Sequence, residues 1–107
     1  MSESPVFIAV VTSQCDPYIM SVCENIGLRH GGTLTIDWRC GKIRMTFLDG
    51  SKLETFPLAL MRGKKCDEVW MEREASDDDY DNLILPAVIG LSKNIHLFEE
   101  LDNADSN

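Results

Sequence analysis

Residues 6–12 (VFIAVVT) are apolar almost without interruption and rich in β-branched side chains. Such a run suits a strand covered on both faces, in the middle of a sheet. The period then changes. Ile19, Val22, Cys23 and Ile26 fall at i, i+3, i+4 and i+7, which builds one apolar stripe along a helix. Asp16 before Pro17, or Ser13 with Asp16 three positions on, supplies the helix start. Gly31 and Gly32 supply its stop.

Strict alternation follows. Leu34, Ile36, Trp38 and Cys40 alternate with Thr33, Thr35, Asp37 and Arg39, and Ile43, Met45 and Phe47 alternate with Lys42, Arg44 and Thr46. The spacing predicts two half-buried strands over residues 33–40 and 42–48, apolar sides toward the core, joined by a tight turn at Gly41. Asp49-Gly50 is a hairpin signal, so residues 51–58 return as a third strand. Pro57 cannot donate to a ladder and marks the end of that strand or a sheet edge. Arg39, Arg44 and Lys52 then share a mildly basic outer side. Residues 68–73 (EVWMER) predict a fourth meander strand with Val69 and Met71 inward and Glu68, Trp70 and Glu72 outward. The opposite register would put Trp70 in the core.

Tyr80, Leu83, Ile84, Ala87, Val88 and Leu91 form a second helical stripe behind Ser76 and a run of aspartates. Asp77, Asp78 and Asp79 suit the positive end of a helix dipole. Pro86 interrupts: either the helix kinks there or it begins there, since an interior proline costs about 3 kcal/mol. Residues 95–101 continue the helix or form a last short strand. The order β-α-β-β-β-(β)-α predicts an α+β domain, a mostly antiparallel sheet with two helices packed on one face. One domain is expected over residues 1–107, with residues 1–4 and 102–107 frayed. The order of the first strand, helix and hairpin is similar to that of ferredoxin-like and ACT-like regulatory domains. The resemblance covers about the first half of the chain. It implies a regulatory domain that senses a small molecule or self-assembles.

Charge changes this picture more than composition does. Of 18 acidic residues, twelve lie in residues 67–107, where Arg73 and Lys93 are the only bases; residues 1–66 hold six acids and eight bases. The net charge of −8 argues against direct nucleic-acid binding, which draws its affinity from phosphate neutralisation, and against anionic membrane surfaces. It favours a basic partner. Apolar runs stay far below the roughly 20 residues of a membrane span. The start lacks the basic segment of a secretory leader. A cytoplasmic location is expected, with Cys15, Cys23, Cys40 and Cys66 as reduced thiols.

Candidate chemistry is sparse. Asp77-x-Asp79-x-Asp81-Asn82 opens like a calcium loop, but Val88 stands where an EF-hand needs its bidentate glutamate and Asn82 replaces the glycine. Cys15 precedes a helix, where a thiolate is favoured, yet neither His30 nor His96 is placed beside it as a base. Cys23-x5-Arg29 has the spacing of a phosphate loop but falls inside the predicted helix. His30-Gly31-Gly32 reads as a helix end. No nucleotide, nucleophile-elbow or zinc motif occurs, so no cofactor and no metal are expected, and the chain reads as non-catalytic. The functional expectation is a small acidic binding or regulatory protein of the inhibitor, immunity or nucleic-acid-mimic type. Carboxylates downstream of Cys66 would gather on one outward patch and stand in for phosphates opposite Lys or Arg. The residues expected to face the partner are Glu72, Glu74, Asp77, Asp78, Asp79 and Asp81, with Trp70 as an apolar anchor. Association of the chain with itself is the other partner expectation.

Overall fold

The computed structural model describes residues 5–12, 17–39, 41–72, 76–88 and 94–101. Among them, β1 (Phe7–Val11), β2 (Thr33–Arg39), β3 (Lys42–Phe47), β4 (Lys52–Phe56), β5 (Glu68–Met71) and β6 (Ile95–Leu97) form one six-stranded sheet in the order β2-β3-β4-β1-β5-β6. β1 is central, as its unbroken apolarity requires, and Ile8, Ala9 and Val10 are fully buried.

The sheet is mixed rather than mostly antiparallel. β2, β3 and β4 form the expected antiparallel meander. β1, however, runs parallel to both β4 and β5, and β5 runs parallel to β6. The predicted fourth meander strand is therefore a parallel neighbour of β1. Parallel pairing needs a crossover rather than a tight turn. Residues 57–67 provide it, through the 3-10 helix Leu58–Met61, for which Pro57 is the cap, and a turn at Gly63 with φ 80°.

The two helical segments lie on opposite faces, not on one. α1 (Pro17–Leu28) packs Ile19, Val22, Cys23 and Ile26 against Ile8, Val10, Ile43, Met45, Phe47, Leu53 and Trp70, and Phe98 and Leu101 close the same cluster. On the other face Met61, Cys66, Ile84, Ala87 and Val88 cover Ala9, Val11, Phe56, Val69 and Met71. β1 and β5 are apolar on both sides, so each needs cover on both sides. This also settles Trp70. Its alternation with Val69 and Met71 does not separate wet from dry but one core from another, and Trp70 is 1% exposed.

The second helical segment passes through Pro86 without starting there. It runs as an α-helical turn (Asp77–Asp79), a π-helical turn (Tyr80–Ile84) and a 3-10 turn (Leu85–Ala87). The wide turn, in which the Leu85 N–H reaches the Tyr80 carbonyl, shifts the ladder just before the residue that lacks a donor. Such bulges are a usual way to absorb an interruption of the i→i−4 pattern. Residues 95–101 divide between the short strand β6 and a closing turn in which the Leu101 N–H donates to the Phe98 carbonyl.

β2 departs from expectation in another way. Leu34, Ile36 and Trp38 were expected inward, yet they are 59%, 45% and 44% exposed. Ile36 and Trp38 pair with Met45 and Ile43, so they share the α1 side of the sheet. β2 is the outermost strand there, and the buried cluster that α1 closes ends at β3.

Candidate functional site

The acidic segment starts from a built cap. Ser76 adopts an extended conformation (φ −60°, ψ 159°), and its Oγ accepts the Asp79 N–H at 3.2 Å. Its carbonyl accepts the Tyr80 N–H at 2.8 Å. Tyr80, Leu83 and Ile84 turn inward, which leaves Asp77, Asp78 and Asp81 exposed and Asp79 half-buried. Glu72 is exposed just after β5. Among the described residues none of these five carboxylates enters an ion pair.

The other acids downstream of Cys66 have different tasks. Asp67 Oδ2 accepts the Phe7 N–H at 2.8 Å. Glu68 Oε1 accepts Trp70 Nε1–H at 3.0 Å. Glu100 accepts the Leu97 N–H at 2.9 Å and lies 3.0 Å from His96 Nδ1. Partial burial raises the Glu100 carboxyl, but the Leu97 and His96 hydrogen bonds win and hold it below its ordinary value. The carboxylates therefore do not form one outward set. Trp70 does not belong to the surface at all, because the His96 ring stacks on it at 4.6 Å and the Arg29 guanidinium sits 5.2 Å from its centroid. Glu74 and Cys15 lie outside the described residues.

Bases cluster elsewhere, on the side of the meander opposite α1. The alternation that buries Ile43, Met45 and Leu53 turns Arg39, Lys42, Arg44 and Lys52 outward, as the sequence suggested for three of them. Asp37 accepts from Arg39 Nε at 2.9 Å and Nη2 at 3.0 Å. That two-pronged contact holds the Asp37 carboxyl below its ordinary value. Glu54 takes Lys42 at 2.7 Å and Arg44 at 3.8 Å. The ammonium groups of Lys42 and Lys64 lie 4.8 and 4.9 Å from the Phe56 ring centroid, within cation–π range. Two shallow depressions meet at Lys42. One, about 290 Å³, is lined by Asp37, Arg39, Lys42 and Arg44. The other, about 230 Å³, lies among Thr12, Gly41, Lys42, Thr55, Phe56 and Leu60. Sequence reasoning placed the bases on one side but did not see Lys42 as their meeting point. Its signal was position alone, at the start of the strand next to the Gly41 turn.

Cys66, His30 and His96 each have a hydrogen-bond partner within the fold. Cys66 Sγ donates to the Ala87 carbonyl at 3.6 Å, and burial, with a smaller push from the Asp67 charge, raises its thiol to about 11. Such a thiol is inert at neutral pH. His30 lies 2.8 Å from Asp49 Oδ2 and stacks on Phe47 with centroids 5.6 Å apart. No group of three or more His, Cys, Asp or Glu among the described residues could hold a metal ion. No described helix is long and apolar enough to cross a membrane. Compared with protein-family models, with curated proteins and with solved structures, the chain has no match.

Proposed function

We propose that the chain is a small, non-catalytic binding protein that sets the outward carboxylates of its Ser76-capped segment, Asp77, Asp78, Asp79 and Asp81, together with Glu72, against a basic macromolecular surface. One observation carries this reading. These carboxylates have no ion-pair partner among the described residues, and four of them fall within residues 77–81. The uncompensated charge is thus concentrated where a partner's lysines and arginines can reach it, and opposite fields speed such an encounter. The roles that fit are inhibitor, immunity protein or mimic of a nucleic-acid backbone.

The test is capture from the native host's extract on the immobilised chain. A basic protein is expected to bind at low salt and to leave as ionic strength rises toward about 1 M, where the screening length falls to about 3 Å. A variant with Asp77, Asp78, Asp79 and Asp81 all changed to Asn is expected to capture none of it. Capture indifferent to both salt and the four substitutions overturns the reading.

The depressions around Lys42 favour a second reading, a regulatory domain that senses a small anion. Its test is thermal unfolding with a panel of small phosphates and carboxylates. A rise in midpoint that disappears in Lys42→Met supports it, and no rise with any of them refutes it.

A further inference from the structure

β2 ends the sheet on the side away from β6, so no described strand lies along its outer edge. Proteins usually blunt such an edge with lysine, proline, brevity or inward charge. β2 is seven residues long and contains neither lysine nor proline. It carries Leu34, Ile36 and Trp38 at 59%, 45% and 44% exposure. Ile36 and Trp38 extend the apolar face formed by Met45 and Ile43. The strand is irregular only between Thr33 and Thr35, and from Thr35 to Arg39 its pairing with β3 is continuous.

Charge selects the occupant of this edge. A net charge of −8 opposes self-association in general. Asp77, Asp78, Asp79 and Asp81, however, lie in the connection between β5 and β6, on the far half of the sheet from β2. β2 itself is neutral, with Asp37 and Arg39 as its charged residues. Two copies of β2 paired antiparallel about a two-fold axis through Trp38 overlap over residues 37–39 and set Asp37, which holds Arg39 of its own chain at 2.9 and 3.0 Å, opposite Arg39 of the second copy, so that two acids and two bases form one cluster. Trp38 meets Trp38. Directly opposed unlike charges and paired aromatics are the favourable cross-strand combinations. The pairing uses the regular end of the strand and leaves residues 33–36, with the irregularity at Thr33, outside it. An axis through Asp37 would instead set carboxylate against carboxylate. The order Asp37-Trp38-Arg39 is thus complementary to itself in the antiparallel sense, and a second copy supplies the matching strand without any further partner.

We propose that the chain forms a two-fold dimer through antiparallel pairing of residues 37–39, the end of β2, with the same residues of a second copy. This inference does not depend on the acidic segment.

Light scattering after size-exclusion chromatography is expected to give twice the 12.0 kDa chain mass. Trp38→Lys is expected to give a monomer with an unchanged far-ultraviolet circular dichroism spectrum. Leu85→Lys, at another exposed apolar residue in the second helical segment, is expected to remain dimeric. Asp37→Arg is expected to weaken the dimer, and adding Arg39→Asp to restore it, because the exchange rebuilds both cross-strand pairs. Under oxidation Trp38→Cys is expected to cross-link into a dimer on a non-reducing gel. A wild-type monomer up to the solubility limit overturns the proposal. So does a dimer that survives Trp38→Lys, or an Asp37→Arg dimer that the second exchange does not strengthen.

Discussion

Asp67 and Phe7 exchange two hydrogen bonds: the Phe7 N–H donates to Asp67 Oδ2 at 2.8 Å, and the Asp67 N–H donates to the Phe7 carbonyl at 2.9 Å. The pair fastens the start of β1 to the start of β5, where the chain arrives from its crossover. A carboxylate that belongs by sequence to the acidic third of the chain is in this way a structural acceptor. Asp67→Ala leaves the Phe7 N–H without that acceptor in a partly buried place and is expected to destabilise the fold by about 1–3 kcal/mol. Asp67→Asn keeps an acceptor oxygen and is expected to lose less. Urea unfolding of both variants measures the difference; equal losses would show that a neutral acceptor of the same shape does not replace the carboxylate, so that its charge carries the contribution.

Gly27 faces the sheet at close quarters. A Cβ at this position would lie 2.7 Å from Phe47 Cε1 and 3.2 Å from Thr33 Oγ1. Helix propensity favours alanine over glycine by about 1 kcal/mol. Phe47 is 1% exposed and its ring is stacked beneath His30, so it has little room to give. Overpacking of this kind costs about 1–3 kcal/mol, and it outweighs the propensity gain. Gly27→Ala is expected to lower the thermal midpoint, whereas Glu24→Ala, on the exposed side of the same helix, is expected to leave it nearly unchanged. A higher midpoint for Gly27→Ala would mean that Phe47 moves freely.

Much of the local structure was legible because it rests on short-range pattern. The unbroken run in β1, the i, i+3, i+4 stripe of α1 and the alternation in β3 all appear where the side-chain chemistry requires them. Strand direction was not legible. A strand apolar on both faces needs two covers, but its sequence does not say which way its neighbours run, and β5 was read as a meander strand for that reason. Trp70 shows the same limit: alternation gives two sides but not which of them, if either, is wet, so the outward and the core register of residues 68–73 both fit the sequence. In β2 the alternation was read correctly and the burial was not. Period two tells which residues share a side, not whether anything lies over them. The charge excess was countable, yet counting could not separate Asp67, Glu68 and Glu100, which hold the fold, from Asp77 and Asp78, which do not.

Cys66 gives the fold a pH dependence of definite sign. Its thiol is raised from 9.0 to about 11, first by burial and then by the Asp67 charge. In the unfolded chain the thiol loses its proton near its ordinary value, whereas in the folded chain it keeps it. Below that ordinary value the group contributes nothing. Between 9.0 and about 11 the unfolded state binds fewer protons, so stability falls as pH rises. The informative quantity is the difference from Cys66→Ala, which isolates this one group. The wild type is expected to lose stability more steeply than the variant across that window in urea unfolding at stepped pH. Matching slopes would show that the native thiol ionises as readily as the unfolded one. Native Cys66 should also resist iodoacetamide at neutral pH and react once the chain is unfolded.

Trp70 joins β5 to the α1 side of the core, and its surroundings separate three contributions. Its ring is buried, its Nε1–H donates to Glu68 at 3.0 Å, and its face carries the His96 ring at 4.6 Å and the Arg29 guanidinium at 5.2 Å. Trp70→Ala removes all three and opens a large cavity, for a loss of about 3–5 kcal/mol. Trp70→Phe keeps an aromatic face for His96 and Arg29 but drops the N–H and part of the volume, so it is expected to fall well short of that loss. Fluorescence reports the placement directly, because Trp38 is the second tryptophan of the chain. In Trp38→Phe the remaining emission is expected to be blue-shifted and resistant to acrylamide. It should move red only in the same urea range where circular dichroism is lost. Red-shifted, freely quenched emission from the folded variant would place Trp70 in solvent and return it to the recognition surface that the burial of its ring now excludes.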